Sequence, residues 1–384
     1  KKDEALAYYQ KAEQMCPDYC FPNKLEEVLM LQDAMTLNPT GAKAPYYLGN
    51  FHYAVRCYED AVACWETSAA LDDCFPTVLR NLSLAYYNKQ HNPQKALAAL
   101  EKAYNLDTTD ARILMELDQL YKKLRYPHRQ RLDFLEAHTN EVEQRDDLCI
   151  ERITLYNQLG EYQKAYDLIN SRKFHPWEGG EGKVTSQYVF CRVELAKQAL
   201  AEKRYADAVR LLKETEKYPD NLGEGKLSMA EENDIHYWLG CAYEGLGDME
   251  QAKAYFERAT KGSAEPAIAF FYNDQQPDKI FYQGLAWRKL GEEDKARSRF
   301  NRLIKHGEKH LFDKVKIDYF AVSLPDLLIW DDDLNVRNLI HCNLVMGLGY
   351  LGLGDKEQAR KFLSEVIRLD INHQVGQQLL KMCE

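Results

Sequence analysis

The feature that most constrains this chain is a pattern that returns along it, with small residues and aromatics set at fixed offsets inside paired amphipathic segments. It is clearest over 235–263 (IHYWLGCAYEGLGDMEQAKAYFERATKGS), where Leu239, Gly240, Tyr243, Gly247, Ala252, Phe256 and Ala259 mark it out. Each offset has a packing reason. Gly240 and Ala252 let two helices approach closely, and Tyr243 and Phe256 fill the space between successive pairs. Gly247 closes the first helix in a left-handed turn that a side chain would resist. The same frame accepts Leu48, Gly49, Ala61 and Trp65; Leu82, Ser83, Tyr86, Ala96, Leu100 and Ala103; and Leu117, Tyr121, Phe134 and Ala137. It continues through Tyr156, Gly160, Ala165 and Ile169; Ala196, Ala208 and Leu212; Gly284, Trp287, Gly291, Ala296 and Phe300; and Gly347, Tyr350, Gly354, Ala359 and Leu363. A chain written this way stacks helix hairpins, each burying its apolar face on its neighbours.

The second-helix anchors fall at 27, 61, 96, 130, 165, 208, 252, 296 and 359, at intervals of 34, 35, 34, 35, 43, 44, 44 and 63. The first half keeps the period of bare helix pairs, whereas every later interval is longer. The additions are expected between the second helix of one pair and the first helix of the next. Equivalent junctions stack along one edge of such an array, so the insertions should form one contiguous surface. Two continuous parts are expected: 1–171, regular repeats of which the first is truncated, and 172–384, repeats with long junction insertions. Residues 3–17 read as a second helix without its first, and 23–37 follow without room for a partner. Residues 372–384 read as a short closing helix. The chain begins on Lys1, which suggests a piece of a longer protein, with Glu384 near the natural terminus.

These residues resemble the tetratricopeptide pattern L-G-x-x-Y…A-x-x-x-F-x-x-A. The resemblance implies an all-α fold, a right-handed α-solenoid of tetratricopeptide helix hairpins with long inter-repeat insertions in the C-terminal half. The insert phrases FHPWEGGEGKV, YPDNLGEGKL, FFYNDQQPDKIFYQGLA and IDYFAVSLPDLLIWDDD are more distinctive, as are YCFPNKLEEV and APYYLGN. They resemble the C-terminal array of large uncharacterised bacterial proteins that carry an N-terminal mutarotase-like β-sandwich domain of unknown function. That resemblance implies a fold and a companion domain, with no established reaction.

Composition agrees with helices and narrows the function. Gly and Pro together make up 32 of 384 residues, few for a turn-rich β protein. The formal net charge is −10, which repels phosphate backbones, so no nucleic-acid partner is expected. No stretch approaches the ~18 apolar residues of a membrane span, so no membrane partner is expected, and the start has no signal-peptide pattern. The ten cysteines show neither C-x-x-C nor zinc spacing. Most are read as small apolar packing residues in a reducing compartment, which points to the cytoplasm.

Two sets of residues stand out as candidate sites. Asn50, Asn81 and Arg112 occupy inward-facing positions of three consecutive first helices, where the family's peptide-binding members place residues that hold a ligand backbone or carboxylate. Tyr46 and Glu116 stand where a chaperone-tail clamp would need Lys and Arg, so that ligand does not fit. The second set lies in the insertions: His175, Trp177, Glu178, Glu181, Tyr272, Asn273, Asp274, Asp278, Asp326, Trp330 and Asp331. Aromatics beside carboxylates suit sugars, whose apolar faces stack on rings and whose hydroxyls donate to acids. Paired carboxylates also hydrolyse glycosides at suitable separation. The structural alternative is that Trp177 and Trp330 pin long loops while Asp326 and Asp331–Asp333 cap helices. His306 and His310 are four apart with Gly307, read as marking a helix end, between them, and no metal site or cofactor is expected. There is no phosphate-loop, nucleophile-elbow or H-E-x-x-H motif.

The sequence thus points to a non-enzymatic interaction scaffold, holding a protein or peptide partner through its groove or its insert-bearing edge. The partner could be the β-sandwich domain of the same polypeptide, or a second copy in a homodimer. The alternative is a carbohydrate-binding or carbohydrate-active module.

Overall fold

The repeat pattern yields helices, and among the described residues no strand is present. The computed structural model describes residues 2–228, 230–267, 274–316 and 329–384. The chain divides into two units, Lys1–Leu124 with Ile329–Asp331, and Arg125–Leu328 with Asp332–Glu384. Unit 1 contains α1 (Lys2–Glu13), α2 (Leu25–Leu37), α3 (Lys43–Ala54), α4 (Tyr58–Leu71), α5 (Pro76–Asn88), α6 (Pro93–Leu106) and α7 (Ala111–Lys123). Unit 2 begins with α8 (His128–Glu136), α9 (Thr139–Val142), α10 (Asp146–Gln158), α11 (Tyr162–Asn170), α12 (Lys183–Ala201) and α13 (Tyr205–Lys213). It continues with α14 (Asn233–Leu246), α15 (Met249–Ala259), α16 (Pro277–Lys289), α17 (Glu293–His310), α18 (Leu334–Leu353), α19 (Lys356–Leu369) and α20 (Gln374–Lys381).

Pairs such as α3–α4, α5–α6, α14–α15 and α18–α19 are joined by two to four residues, short enough to fold the second helix back along the first. The fit between the two helices is a small residue under a large one, sixteen residues on. Gly49 lies under Trp65, Gly240 under Phe256, Gly284 under Phe300 and Gly347 under Leu363. A Cβ on Gly49 or Gly240 would stand 2.5 Å from the ring that covers it. The turn after the first helix needs a positive φ, which Gly247 (80°) and Gly354 (85°) supply without strain. Arg56 (66°) and Lys203 (59°) adopt the same region with a side chain, at about 1–2 kcal/mol each.

Successive pairs are linked by a hydrogen bond that recurs. Tyr86 donates to Glu66 at 2.8 Å, Tyr121 to Glu101 at 3.0 Å, and Tyr156 to Glu136, each across twenty residues. Apolar cores run behind these contacts in unit 2. One joins Val193, Leu212, Leu239 and Tyr255, and another joins Phe281, Phe300, Leu348, Leu363 and Leu379.

Two expectations need correction. The late additions do not all fall in junctions, because α12, α17 and α18 are themselves long, at 19, 18 and 20 residues. Gly307 does not end a helix either. It sits inside α17, where a Cβ would meet Met346 Cγ at 2.5 Å and the Cys342 carbonyl at 2.7 Å. The glycine that reads as a stop is one of the points where α17 and α18 pack closely. Of the cysteines, Cys149, Cys191, Cys342 and Cys383 are buried and Cys64 and Cys241 partly so, whereas Cys16, Cys20, Cys57 and Cys74 are exposed.

Gly240→Ala is expected to cost about 1–3 kcal/mol in urea unfolding, through overpacking against Phe256. The double variant Gly240→Ala/Phe256→Leu should cost less than the sum of the two single changes by more than ~0.5 kcal/mol. Strict additivity would mean that the ring and the glycine do not meet.

Candidate functional site

Unit 2 contains a cleft of about 1300 Å³, lined by three consecutive insertions and by α12, α14, α16, α18 and the segment around α20. The insertions are held by one another as well as by the helices. The Phe174 amide donates to the Asn221 carbonyl at 2.8 Å, and Asn221 Nδ2 donates to the carbonyls of Ile169 and Arg172, both at 2.9 Å. Gly182 donates its amide to Glu224 at 2.9 Å, tying the first insertion to the second. Asn233 Nδ2 bonds the carbonyls of Ala259 and Lys261, and Gln283 Nε2 bonds those of Lys261 and Ser263, which fixes the start of the third. The C-terminal segment is anchored against the beginning of the unit. Gln158 donates to the Asn372 carbonyl at 2.7 Å, Gln187 to Gln374 at 2.8 Å, and Gln378 to the Tyr162 hydroxyl at 3.0 Å.

The lining is strongly acidic. Nine carboxylates (Glu178, Glu181, Glu194, Glu224, Glu231, Glu232, Asp234, Asp274, Asp278) face two lysines, Lys197 and Lys279, and a third lysine beside the lining, Lys226, pairs with Glu232. Both lining lysines are already paired, Lys197 with Glu194 at 2.7 Å, and Lys279 with Asp234 at 2.6 Å and Asp278 at 3.6 Å. Burial raises the Asp278 carboxyl, and Lys279 beside it only partly offsets this. Burial opposes charge on Lys279 as well, but Asp234 and Asp278 outweigh it and its pKa is raised. Glu224 and Glu231 are pushed up, in each case chiefly by burial. Glu231 Oε2 is buried and, among the described residues, accepts no hydrogen bond. Trp177, Phe190, Tyr218 and Tyr282 add aromatic faces to the same wall.

The sequence candidates divide among several places. Trp177, Glu178, Glu181, Asp274 and Asp278 meet in the cleft. His175 is exposed and turned toward α10, with its amide on Asp146 at 2.8 Å. Trp330 and Asp331 belong to unit 1. Tyr272, Asn273 and Asp326 lie outside the described residues. Trp177 also packs on its own turn, where Gly180 leaves room for the indole.

In unit 1 the groove candidates are joined by internal bonds. Asn50 Oδ1 accepts from Trp65 Nε1 at 3.0 Å and from Asn81 Nδ2 at 3.2 Å. Arg112 pairs with the fully buried Glu116 at 3.1 Å but leaves most of its side chain exposed. Glu116 also takes Arg80 at 2.5 Å, so its charge is satisfied within the unit. His52, Cys57 and Asp60 bring one ligand atom each within 4.8 Å of one another, as do Asp72, Asp73 and Cys74, an arrangement that acidic turns often show without a metal.

Sequence reasoning missed Glu194, Glu224, Glu231, Asp234, Lys279 and Tyr282 as cleft residues. The acid-rich run at 231–234 was a signal for part of this set, but Glu194 and Tyr282 are legible only once the helices are stacked.

Two stretches match the tetratricopeptide repeat family, at 234–261 and 280–306. Solved structures similar to the chain include YrrB, described as a TPR protein with an unusual peptide-binding site, at 14% identity, 59% of this chain, 89% of that one and a TM-score of 0.33. A tetratricopeptide repeat protein from Parabacteroides merdae is similar at 14% identity over 89% of this chain and 98% of that one, with a TM-score of 0.40. Naa15/Naa10 bound to HypK-THB is similar at 12% identity over 100% of this chain and 60% of that one, with a TM-score of 0.44. No helix among the described residues is long and apolar enough to cross a membrane.

The His306, His310 and His341 rings cluster beside the cleft's helices, with centroids 4.6 Å apart for His306–His310 and 6.0 Å for His306–His341. Burial, reinforced by His306, lowers His341 to about 4, and burial lowers His306 as well. The unfolded chain takes up a proton at His341 near pH 6.5, which the folded chain refuses until about pH 4. This contribution to stability is therefore complete above pH 6.5 and lost as pH falls toward 4. The raised carboxyls of Asp278, Glu224 and Glu231 act in the opposite sense, so the informative quantity is the difference between proteins. His341→Gln is expected to flatten the pH dependence of Tm between pH 6.5 and 4 relative to the unchanged protein, and parallel curves would contradict the assignment.

Proposed function

We propose that this tetratricopeptide repeat scaffold is non-catalytic and works through the acidic cleft of unit 2, which receives a lysine- or arginine-bearing segment of a protein partner. The observation that carries the reading is the excess of nine lining carboxylates over two lysines that are already paired. Guanidinium and ammonium groups satisfy clustered carboxylates by charge-assisted hydrogen bonds, and the aromatic faces of Trp177, Tyr218 and Tyr282 suit the same cations. The volume supports a segment of chain over a small metabolite, since sites for drug-sized molecules occupy roughly 300–1,000 Å³. Glu231 keeps one buried oxygen that, among the described residues, accepts no hydrogen bond, so a cation drawn into the cleft gains an acceptor there. The β-sandwich domain implied by the insert phrases is one candidate carrier of such a segment, and a second copy of the chain is another.

A sugar site is the second reading, because Trp177 and carboxylates from three insertions share one cleft. The packing of Trp177 on Gly180 favours a structural role for that ring over a stacking platform. The two readings separate experimentally. Labelled peptides rich in Lys and Arg should bind the full chain, weaken steeply between 50 and roughly 300 mM salt, and lose at least tenfold in affinity with Glu231→Lys. Neutral oligosaccharides should show no binding. Salt-independent sugar binding that Trp177→Ala abolishes would replace the scaffold reading with the carbohydrate one.

A further inference from the structure

At the end of α5, unit 1 holds a short piece of chain from far along the sequence. The tripeptide Ile329–Asp331 packs in this unit, although the chain on both sides of it belongs to unit 2. Asn88 grips its backbone at two points. Nδ2 donates to the Ile329 carbonyl at 2.8 Å, and Oδ1 accepts from the Asp331 amide at 2.8 Å. One amide side chain thereby satisfies the main chain on either side of a single residue, Trp330. The Trp330 side chain is 1% exposed. Its Nε1 donates to the Glu116 carbonyl at 3.1 Å, and its ring meets Tyr87 edge-on at 5.2 Å. Lys89 pairs with Asp331 at 3.3 Å.

Those contacts read three different things. Asn88 recognises backbone regardless of side chain, the indole pocket selects Trp by size and by its one donor, and Lys89 selects an acid at the next position. The pocket floor is held in place, because Glu116, whose carbonyl receives the indole, has its carboxylate fixed by Arg80 and Arg112. We propose that unit 1 is a receptor for a short apolar–Trp–Asp peptide, and that the protein fills it with its own Ile329–Asp331. The site belongs to unit 1, whereas the acidic cleft belongs to unit 2, and its charge preference is the opposite, because Lys89 holds an acid.

The test uses the full chain and a labelled peptide of sequence Ile-Trp-Asp-Asp-Asp. Trp330→Ala vacates the pocket, so this variant should bind the peptide at least tenfold more tightly than the unchanged protein. Adding Asn88→Ala should remove that binding, and a peptide with Ala in place of Trp should not bind. Equal binding by Trp330→Ala and the unchanged protein, or none by a folded Trp330→Ala, would overturn the proposal and leave the tripeptide as ordinary packing. Should Trp330→Ala fail to fold, hydrogen exchange on Asn88→Ala decides the matter. The Asp331 amide should exchange at least tenfold faster while α5 and α6 keep their protection, and unchanged exchange at Asp331 would overturn the proposal.

Discussion

Everything in this protein depends on how closely the two helices of a hairpin approach. Where Gly240 faces Phe256 or Gly284 faces Phe300, the absence of a side chain lets a ring rest directly on backbone. Dispersion contacts at that distance are individually small, but they are lost together when a methyl group intrudes. Because each hairpin is closed this tightly, its exposed edge is fixed in register with the next. Long insertions can then be carried there without loosening the core. The Tyr–Glu bonds at a spacing of twenty residues repeat the same logic between pairs, setting each first helix on the second helix before it.

The insertions convert that regularity into a particular surface. Long loops carry an entropic cost that local order must offset. Here the offset comes from side-chain amides that bond main-chain carbonyls where a helix end passes into an insertion: Asn221 on 169 and 172, Asn233 on 259 and 261, Gln283 on 261 and 263. The cleft they border gathers negative charge in a partly desolvated setting, which is why burial raises Asp278, Glu224 and Glu231 together. Such a site favours a cation, whose attraction relieves the repulsion among the carboxylates and offsets part of the cost of burying their charge.

The repeats were legible because their packing chemistry is local and periodic: the Leu239–Gly240 step, Tyr243 and Gly247 announce a hairpin before any partner is known. The junction insertions were visible as lengthened intervals, and Trp177, Glu178, Glu181, Asp274 and Asp278, five of the insertion residues that sequence reasoning singled out, line one cleft. The placement of Trp330 was not legible. The bonds that hold it, from Asn88 to its two neighbours Ile329 and Asp331 and from its own indole to Glu116, span more than two hundred residues, and neither the helix period nor loop composition encodes such a contact. Gly307 misled for a related reason. Glycine within a helix and glycine after one look alike in sequence, and only the approach of Met346 tells them apart.

Hydrogen exchange on the full chain, with and without a saturating Lys/Arg-rich peptide, tests the central claim most directly. If three insertions share one acidic cleft, the ligand should slow exchange at 176–182, 224–234 and 274–279 together, with the helices behind them little changed. Protection confined to a single insertion, or appearing in unit 1 instead, would contradict the account.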